Sequence, residues 1–497
     1  MGDFMIRDTF DKIKAGQDIR QNLIQLKAEL KEDHNKSALL YYMGQDIRLL
    51  EQLLCHEDPK VRKNTALIIG ELKLENLLDK LYEAYENETQ LFIKSSYLTA
   101  ISNFDYSSFK AKLNGRIELL SNNKAQESDK KHINEELLVL SKMIIQLEGV
   151  KKHKFTGYNL PMGAVLLTNR NYNNLTLEQV TTDKAKLFNA GVMLQTDNWN
   201  KILPIRTYSE VLFYLSDLKT CSNDYKLAAK EISDSSLLQF LKDSHEGEYP
   251  FYFRIELKSK MELDKKSAFT KRLGMEIEGL SGRKLINTTS NYEIELRLIE
   301  NKEGTFNLLI KFYTIQDERF QYRKKAVAAS IQPQNAALIM ALVKEYLSED
   351  AQVLDPFCGV GTMLAERKLA HPAKTMYGLD IYSTAIEYAK ENLGRDFGTV
   401  FFINRDFFDF THAHMFDEII TNMPRVMGHK EEEEIHTLYR RFFVKAKEHL
   451  NKEGTVILYS HNKEFVKKYS SFNGFKTIQE FEISKKEEAY VFVLKLK

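Results

Sequence analysis

The sequence predicts a multidomain chain: an all-helical N-terminal region, an α+β middle region and a C-terminal α/β domain on a doubly wound sheet. Three observations predict it. Residues 1–150 carry long apolar repeats of helical period and very few glycines or prolines. From Gly163 the texture changes to short strands alternating with helices. Beyond residue 326, short apolar runs end in Asp or Asn and pass into helical segments, as strands do when their carboxyl ends carry a site.

The 497 residues are long for one core, so about two to four domains are expected. Hydrophobic residues at 43% and charged residues at 28% are ordinary for a soluble globular protein. No stretch of about 20 apolar residues offers a membrane span, and Met1-Gly2-Asp3-Phe4 does not open an apolar signal segment. Cys55, Cys221 and Cys358 have neither metal-ligand spacing nor a disulfide framework, so a cytoplasmic protein without metal is expected. A net charge of +1 leaves nucleic-acid binding to a local patch rather than a global field.

In the helical region, residues 58–70 resemble the second-helix signature of a HEAT repeat, with a weaker echo from Thr89 to Ile101. Pro59 opens a helix, Val61, Ala66 and Leu67 bury against a neighbouring repeat, and Arg62 stays at the rim. Stacks of this kind form interaction surfaces, so the region is expected either to recruit a protein partner or to extend an RNA contact surface, and its mixed charges do not choose between them. An ordinary helical bundle is the other reading. Polar residues 122–131 and the basic run 151–154 bracket the boundary.

In the middle region, Ala164–Thr168 reads as a buried strand and Leu175–Ala190 as an amphipathic helix, with further strands at Val192–Leu194 and Ile202–Ile205. Phe251–Leu257 alternates as a strand, residues 267–280 form a helix, and Tyr292–Leu298 and Phe306–Phe312 are strands joined by a turn at Lys302-Glu303-Gly304. This β–α–β–β ending, followed by Arg319–Lys325, resembles the last part of a THUMP domain, an RNA-binding family that leads into a methyltransferase domain. Residues 160–215 resemble the ferredoxin-like segment that accompanies it, and Ala328–Leu338 is similar to the linker and first helix of the catalytic domain. The expected division is 1–150, 155–325 and 326–497.

The first chemical motif is Val353–Leu364. A GxG turn alone is a weak signal, but here it follows a strand and opens a helix. Gly359 and Gly361 let the backbone approach a ligand closely, and Asp355 would oppose an ammonium. The second strand ends in Asp380, about 20–25 positions on, where a carboxylate accepts ribose hydroxyls. Ile381 beside it would pack on adenine. These residues resemble the S-adenosylmethionine site of class I methyltransferases. The resemblance implies cofactor contacts from Asp355, Pro356, Phe357, Gly359, Gly361, Thr362, Asp380 and Ile381, and from Asp406 with Phe407 at the third strand end. Phe407 and Phe408 are equally readable as core aromatics. A seven-stranded sheet with an antiparallel last strand is implied.

The fourth strand ends in Asn422-Met423-Pro424-Arg425. Amino-methylating enzymes carry Asn or Asp, then x-Pro and an aromatic residue, at this strand end. The Asn422 side chain and the Met423 carbonyl would accept hydrogen bonds from an exocyclic amine and aim its lone pair at the methyl group. Arg425 stands where the family carries an aromatic ring that stacks on the base. A guanidinium can stack too, or can hold a phosphate. Cys358 reads as a buried structural thiol, and His429, His436 and His461 as surface histidines rather than proton carriers.

Basic residues lie where the THUMP resemblance implies RNA contact: Lys258, Lys260, Lys265, Lys266, Lys271, Arg272, Arg319, Arg323, Lys324 and Lys325. The resemblance as a whole implies an RNA methyltransferase forming N2-methylguanosine in tRNA. Ribosomal RNA or an adenine amine suits the same geometry, and a non-catalytic RNA-binding scaffold is the reading from another class.

Overall fold

The structure, a computed structural model, describes residues 2–44, 47–122, 129–149, 153–182, 184–394, 397–424 and 432–496. The chain forms two compact units, one of Met1–His153, Thr220–Leu238 and Gly247–Phe306, the other of Lys154–Lys219, Gln239–Glu246 and Asn307–Lys497. The middle stretch 155–325 is thus shared between both units. Among the described residues no helix is long and apolar enough to cross a membrane, and no cluster of three or more His, Cys, Asp or Glu could hold a metal ion.

In the first unit, the described residues up to Gly149 are helices and turns. Helix Pro59–Leu72 starts at Asp58, whose side chain accepts from the Lys60 amide, with Pro59 supplying a helical φ in the first turn. Its buried face carries Val61, Ala66, Ile68 and Ile69, whereas Leu67 is only partly buried, one position off the buried stripe. Arg62 is not a rim residue. Its guanidinium makes two hydrogen bonds to the buried Glu88 carboxylate, at 2.9 and 2.8 Å, and caps the carbonyls of His56 and Glu57. Helix Leu91–Ile101 crosses at Gly70, where a Cβ would lie 2.7 Å from the Ala100 Cα. Glycine permits that crossing. The remainder of the unit pairs strand Phe251–Lys258 in parallel with Ile294–Glu300 and Leu285–Asn287, and helix Leu263–Leu280 packs on it.

In the second unit, strand Met162–Thr168 pairs antiparallel with Gly191–Thr196 and Tyr208–Tyr214. The expected helix over Leu175–Ala190 is a single short helix, Asn173–Leu177, followed by strand Ala185–Phe188. Leu187 and Phe188 are 50% and 43% exposed, so their apolar spacing marks an outer strand and not a buried helix face. The expected strand at Ile202–Ile205 is the end of a helical turn, Trp199–Ile202, that buries Trp199 and Ile202 three positions apart.

The C-terminal part begins with α1 (Pro333–Leu342) and continues β1 (Gln352–Asp355), α2 (Thr362–Ala370), β2 (Thr375–Asp380), α3 (Ser383–Asn392), β3 (Val400–Asn404), β4 (Phe416–Asn422), α4 (Glu432–His449), β5 (Leu450–Ser460), α5 (Lys463–Phe472), β6 (Phe475–Ser484) and β7 (Ala489–Leu496). The seven strands run in the order β3-β2-β1-β4-β5-β7-β6. Strands β1 to β5 are parallel, and β7 is antiparallel to both neighbours. Parallel strands are buried on both faces, which is why Val353, Leu354, Ile419, Ile420, Val456 and Ile457 are fully apolar and fully buried. The strand order reverses at β1, so the crevice beyond its carboxyl end is the place a ligand fits.

Candidate active site

Asp355 is the last residue of β1 and only 1% exposed. Its Oδ1 accepts from the Phe357 amide at 3.1 Å and from the Thr421 hydroxyl at 2.7 Å. Its Oδ2 is buried and has no partner. Burial pushes the carboxyl up to about 7, and the nearby Asp380 charge adds to the rise.

The loop that follows is held tightly. The Cys358 amide donates to the Leu379 carbonyl and the Gly361 amide to the Cys358 carbonyl, both at 2.8 Å. Gly359 and Gly361 have φ of +52° and +81°, which glycine adopts without strain. A Cβ on Gly361 would sit 2.8 Å from Leu393 Cδ1, whereas the space beside Gly359 is open. The Thr362 hydroxyl, at the start of α2, is a second buried polar atom without a partner. Burial, then the charges of Asp355 and Asp380, pushes the Cys358 thiol well above its ordinary range, so it is not a nucleophile at neutral pH.

Asp380 ends β2 and braces the loop. Its Oδ2 accepts from the Gly359 amide at 3.0 Å and its Oδ1 from the Tyr382 amide at 2.9 Å. Beside it Ile381 and Tyr382 are 58% and 67% exposed, an apolar shelf that an aromatic ring can cover. At the end of β3, Asp406 accepts from the Phe408 amide and caps a short turn. Phe407, expected at the cofactor, is instead 1% exposed and packs against Phe357 and Phe442. It serves the core because its turn points that position into the layer between sheet and α4. Phe357 belongs partly to the same cluster, and Pro356 is buried.

Strand β4 runs parallel beside β1, so Thr421 reaches Asp355 across the seam and Asn422 follows at the strand end, half-buried. The Met423 amide donates to the Tyr459 carbonyl at 3.0 Å, which fixes the chain as it leaves the sheet, and Pro424 is exposed. Arg425 and His429 lie outside the described residues. His436 bonds the Tyr469 hydroxyl, and His461 the Glu487 carbonyl.

The basic residues separate into two kinds. Lys324 and Lys325 are exposed in the second unit, and Lys265, Lys271 and Arg272 are exposed in the first, with Lys265 paired to Glu262. Lys266 is partly buried. Arg323 is also partly buried, its Nε enclosed without a partner, and burial lowers its basicity. Arg319, expected on an RNA surface, is buried. It pairs with Asp317 at 2.7 Å and donates to the carbonyls of Ile205 and Tyr208. The acid two positions before it neutralises the charge that the run 319–325 presents in sequence.

Two constellations have no signal in the sequence. Glu366 on α2 accepts from the Arg206 guanidinium and from the Tyr322 hydroxyl at 2.6 Å. Asn392, at the end of α3, donates to the carbonyls of Val360 and Lys325 and accepts from the Lys325 amide, tying the basic linker to the glycine loop.

Residues 321–489 match the family model described as UPF0020: RMKL-like, methyltransferase domain. The C-terminal part is a class I methyltransferase domain. Its cofactor is S-adenosylmethionine, and the orphaned Asp355 Oδ2, the partnerless Thr362 hydroxyl and the open glycine loop suit an amino-acid ammonium and carboxylate. Among solved structures the chain is similar to TrmN from Thermus thermophilus, at 18% identity and TM-score 0.52 over 68% of this chain and 100% of that one. It is also similar to a possible methylase from Clostridium difficile 630, at 15% identity and TM-score 0.50, covering 68% of this chain and 98% of that one. SMU.472 complexed with SAH gives 12% identity and TM-score 0.51 over 68% of this chain and 98% of that chain. At these identities the likeness is one of fold. No curated protein matches the chain.

Proposed function

We propose that this methyltransferase acts on RNA and methylates an exocyclic amine, forming N2-methylguanosine in tRNA. The observation that carries the reading is the placement of Asn422 at the end of β4, next to the β1 end that holds Asp355. The cofactor supplies an electrophilic methyl group on a sulfonium. The Asn422 side-chain oxygen and the Met423 carbonyl accept hydrogen bonds from the amine, turning its lone pair toward that methyl. The nitrogen–carbon bond forms as the sulfur–carbon bond breaks, and the amine proton leaves to water. No nucleophilic side chain takes part, in keeping with the high-lying Cys358 thiol.

In this reading Asp355, Gly359, Gly361 and Thr362 take the amino-acid end of the cofactor, and Asp380 takes the ribose. Ile381 and Asp406 take the adenine. Residues 155–325 serve as a THUMP-like RNA-binding region, with Lys265, Lys266, Lys271, Arg272, Lys324 and Lys325 toward phosphates. The helical residues 1–150 serve as a HEAT-like docking domain for a protein partner. Arg425 stands in the sequence where the family carries the ring that stacks on the base.

Incubation with radiolabelled S-adenosylmethionine and separate pools of unmodified tRNA and ribosomal RNA tests the reading. Label is expected in tRNA. Label confined to ribosomal RNA moves the substrate and keeps the chemistry, whereas no label in either pool overturns the reading in favour of an RNA-binding scaffold.

A further inference from the structure

The Asp355 carboxylate is asymmetric in a way that the loop alone does not explain. One oxygen takes two donors, the Phe357 amide from its own chain turn and the Thr421 hydroxyl from the neighbouring strand. The other is enclosed and takes none. Both Thr421 and Asp355 are buried, at 0% and 1% exposure, so no bulk water substitutes for either contact. Among the described residues, the groups that act on Asp355 are the Thr421 hydroxyl, the Phe357 amide and the Asp380 carboxylate, with the buried Cys358 thiol nearby and no cation among them. A buried carboxylate oxygen without a partner is costly, and a charge-assisted hydrogen bond from a ligand ammonium relieves that cost.

We propose that Thr421 is a positioning residue for the cofactor: its hydroxyl occupies one oxygen of Asp355 and keeps the other as the acceptor for the cofactor ammonium. The proposal rests on the reading of this crevice as the S-adenosylmethionine site and adds a proton to the binding step. In the ligand-free pocket near neutral pH, Asp355 holds a proton for part of the time. The ammonium favours the ionised carboxylate, so that proton passes to solvent as the charge pair forms. Thr421 favours ionisation by the same logic, because a donated hydrogen bond stabilises the anion and not the acid. Removing the hydroxyl therefore makes the proton harder to displace, and cofactor affinity near neutral pH falls.

Calorimetric titration of the full-length protein with S-adenosylmethionine, between about pH 6 and 7.5 and in two buffers of different ionisation enthalpy, counts the protons released. Wild type is expected to release a fraction of a proton per cofactor, with affinity rising across this window. Thr421→Val, which keeps the shape and deletes the donor, is expected to bind about fivefold more weakly at pH 7, the drop in ionised fraction when a carboxyl half-protonated there is displaced upward by about one unit. Thr421→Ser, which restores the hydroxyl, is expected to recover most of the loss. A folded Thr421→Val with wild-type affinity and wild-type proton release overturns the proposal. Should that variant fail to fold, wild type decides: release of no proton across the window overturns it. Absence of cofactor binding by wild type at every pH overturns the underlying reading of the site, and the proposal with it.

Discussion

The Gly359 amide donates to the Asp380 carboxylate at 3.0 Å, so the glycine loop after β1 and the acid at the end of β2 are one mechanical piece. Asp380 thereby shapes the loop as well as offering a contact. Its Oδ1 is engaged too, by the Tyr382 amide that leads into α3. Loss of the carboxylate frees the loop at Gly359 and the start of α3 at Tyr382.

Asp380→Ala is therefore expected to weaken S-adenosylmethionine binding by about 100-fold or more, from hydrogen bonds worth about 1.5–3 kcal/mol each to a charged group. Asn422→Ala leaves binding within about threefold and lowers turnover by about 100-fold, the scale of losing one acceptor or donor that acts in the transition state. Calorimetry and single-turnover methyl transfer separate the two. Loss of binding in Asn422→Ala refutes the division of roles.

Stability without ligand should carry the imprint of Asp355. Its folded value of about 7 lies above the ordinary 3.8, so its contribution to stability is complete below about pH 4 and is lost as pH rises through 7. Asp355→Asn removes that loss. Urea unfolding is expected to find the variant more stable than wild type at pH 8, with the gap closing toward pH 4, while S-adenosylmethionine no longer binds. A gap that does not change with pH rules the assignment out.

A buried ion pair joins helix α2 to strand β4. Arg367 and Glu418 are 0% and 3% exposed, joined by hydrogen bonds of 2.8 and 3.0 Å, and Glu418 also accepts from the Ser348 amide. Glu418→Ala strands a buried guanidinium and is expected to cost about 3–5 kcal/mol. Glu448→Ala, at the exposed end of the Lys445 pair, is expected to cost under about 1 kcal/mol. Chemical denaturation measures both, and equal costs would contradict the ranking.

The basic residues should divide in the same way. Lys324→Ala is expected to lower RNA affinity and reduce the slope of log affinity against log salt by about 1. Arg319→Ala should leave that slope unchanged and lower stability, because its charge is spent on Asp317 and two carbonyls. Fluorescence anisotropy with labelled RNA at several salt concentrations checks the pair. A slope change from Arg319→Ala would return that residue to the RNA surface.

The parallel core was legible because strands buried on both faces read as continuous apolar runs, and the second strand ends at Asp380 as its spacing from the first motif predicts. Strand β6 gave no such signal. Only Phe475 and Ile483 are buried in it, as suits an edge strand with one partner. Leu187 and Phe188 misled for the opposite reason, being apolar and exposed. At the candidate site, the residues that stand out in sequence by their own chemistry are Asp355, Gly359 and Asp380, which the fold brings together. Residues defined by what they touch do not stand out, since Thr421 and Asn392 act through contacts that only the folded chain creates. Arg319 failed on the same ground, a cation whose neighbours decide its role.

The most direct measurement is mass spectrometry of nucleosides from an unmodified tRNA transcript after incubation with the protein and S-adenosylmethionine. The account predicts N2-methylguanosine with wild type and formation about 100-fold slower with Asn422→Ala, although that variant still binds the cofactor. Wild-type protein that binds S-adenosylmethionine and leaves every amine of the RNA unmethylated, or methylates a carbon or ribose oxygen instead, would contradict it.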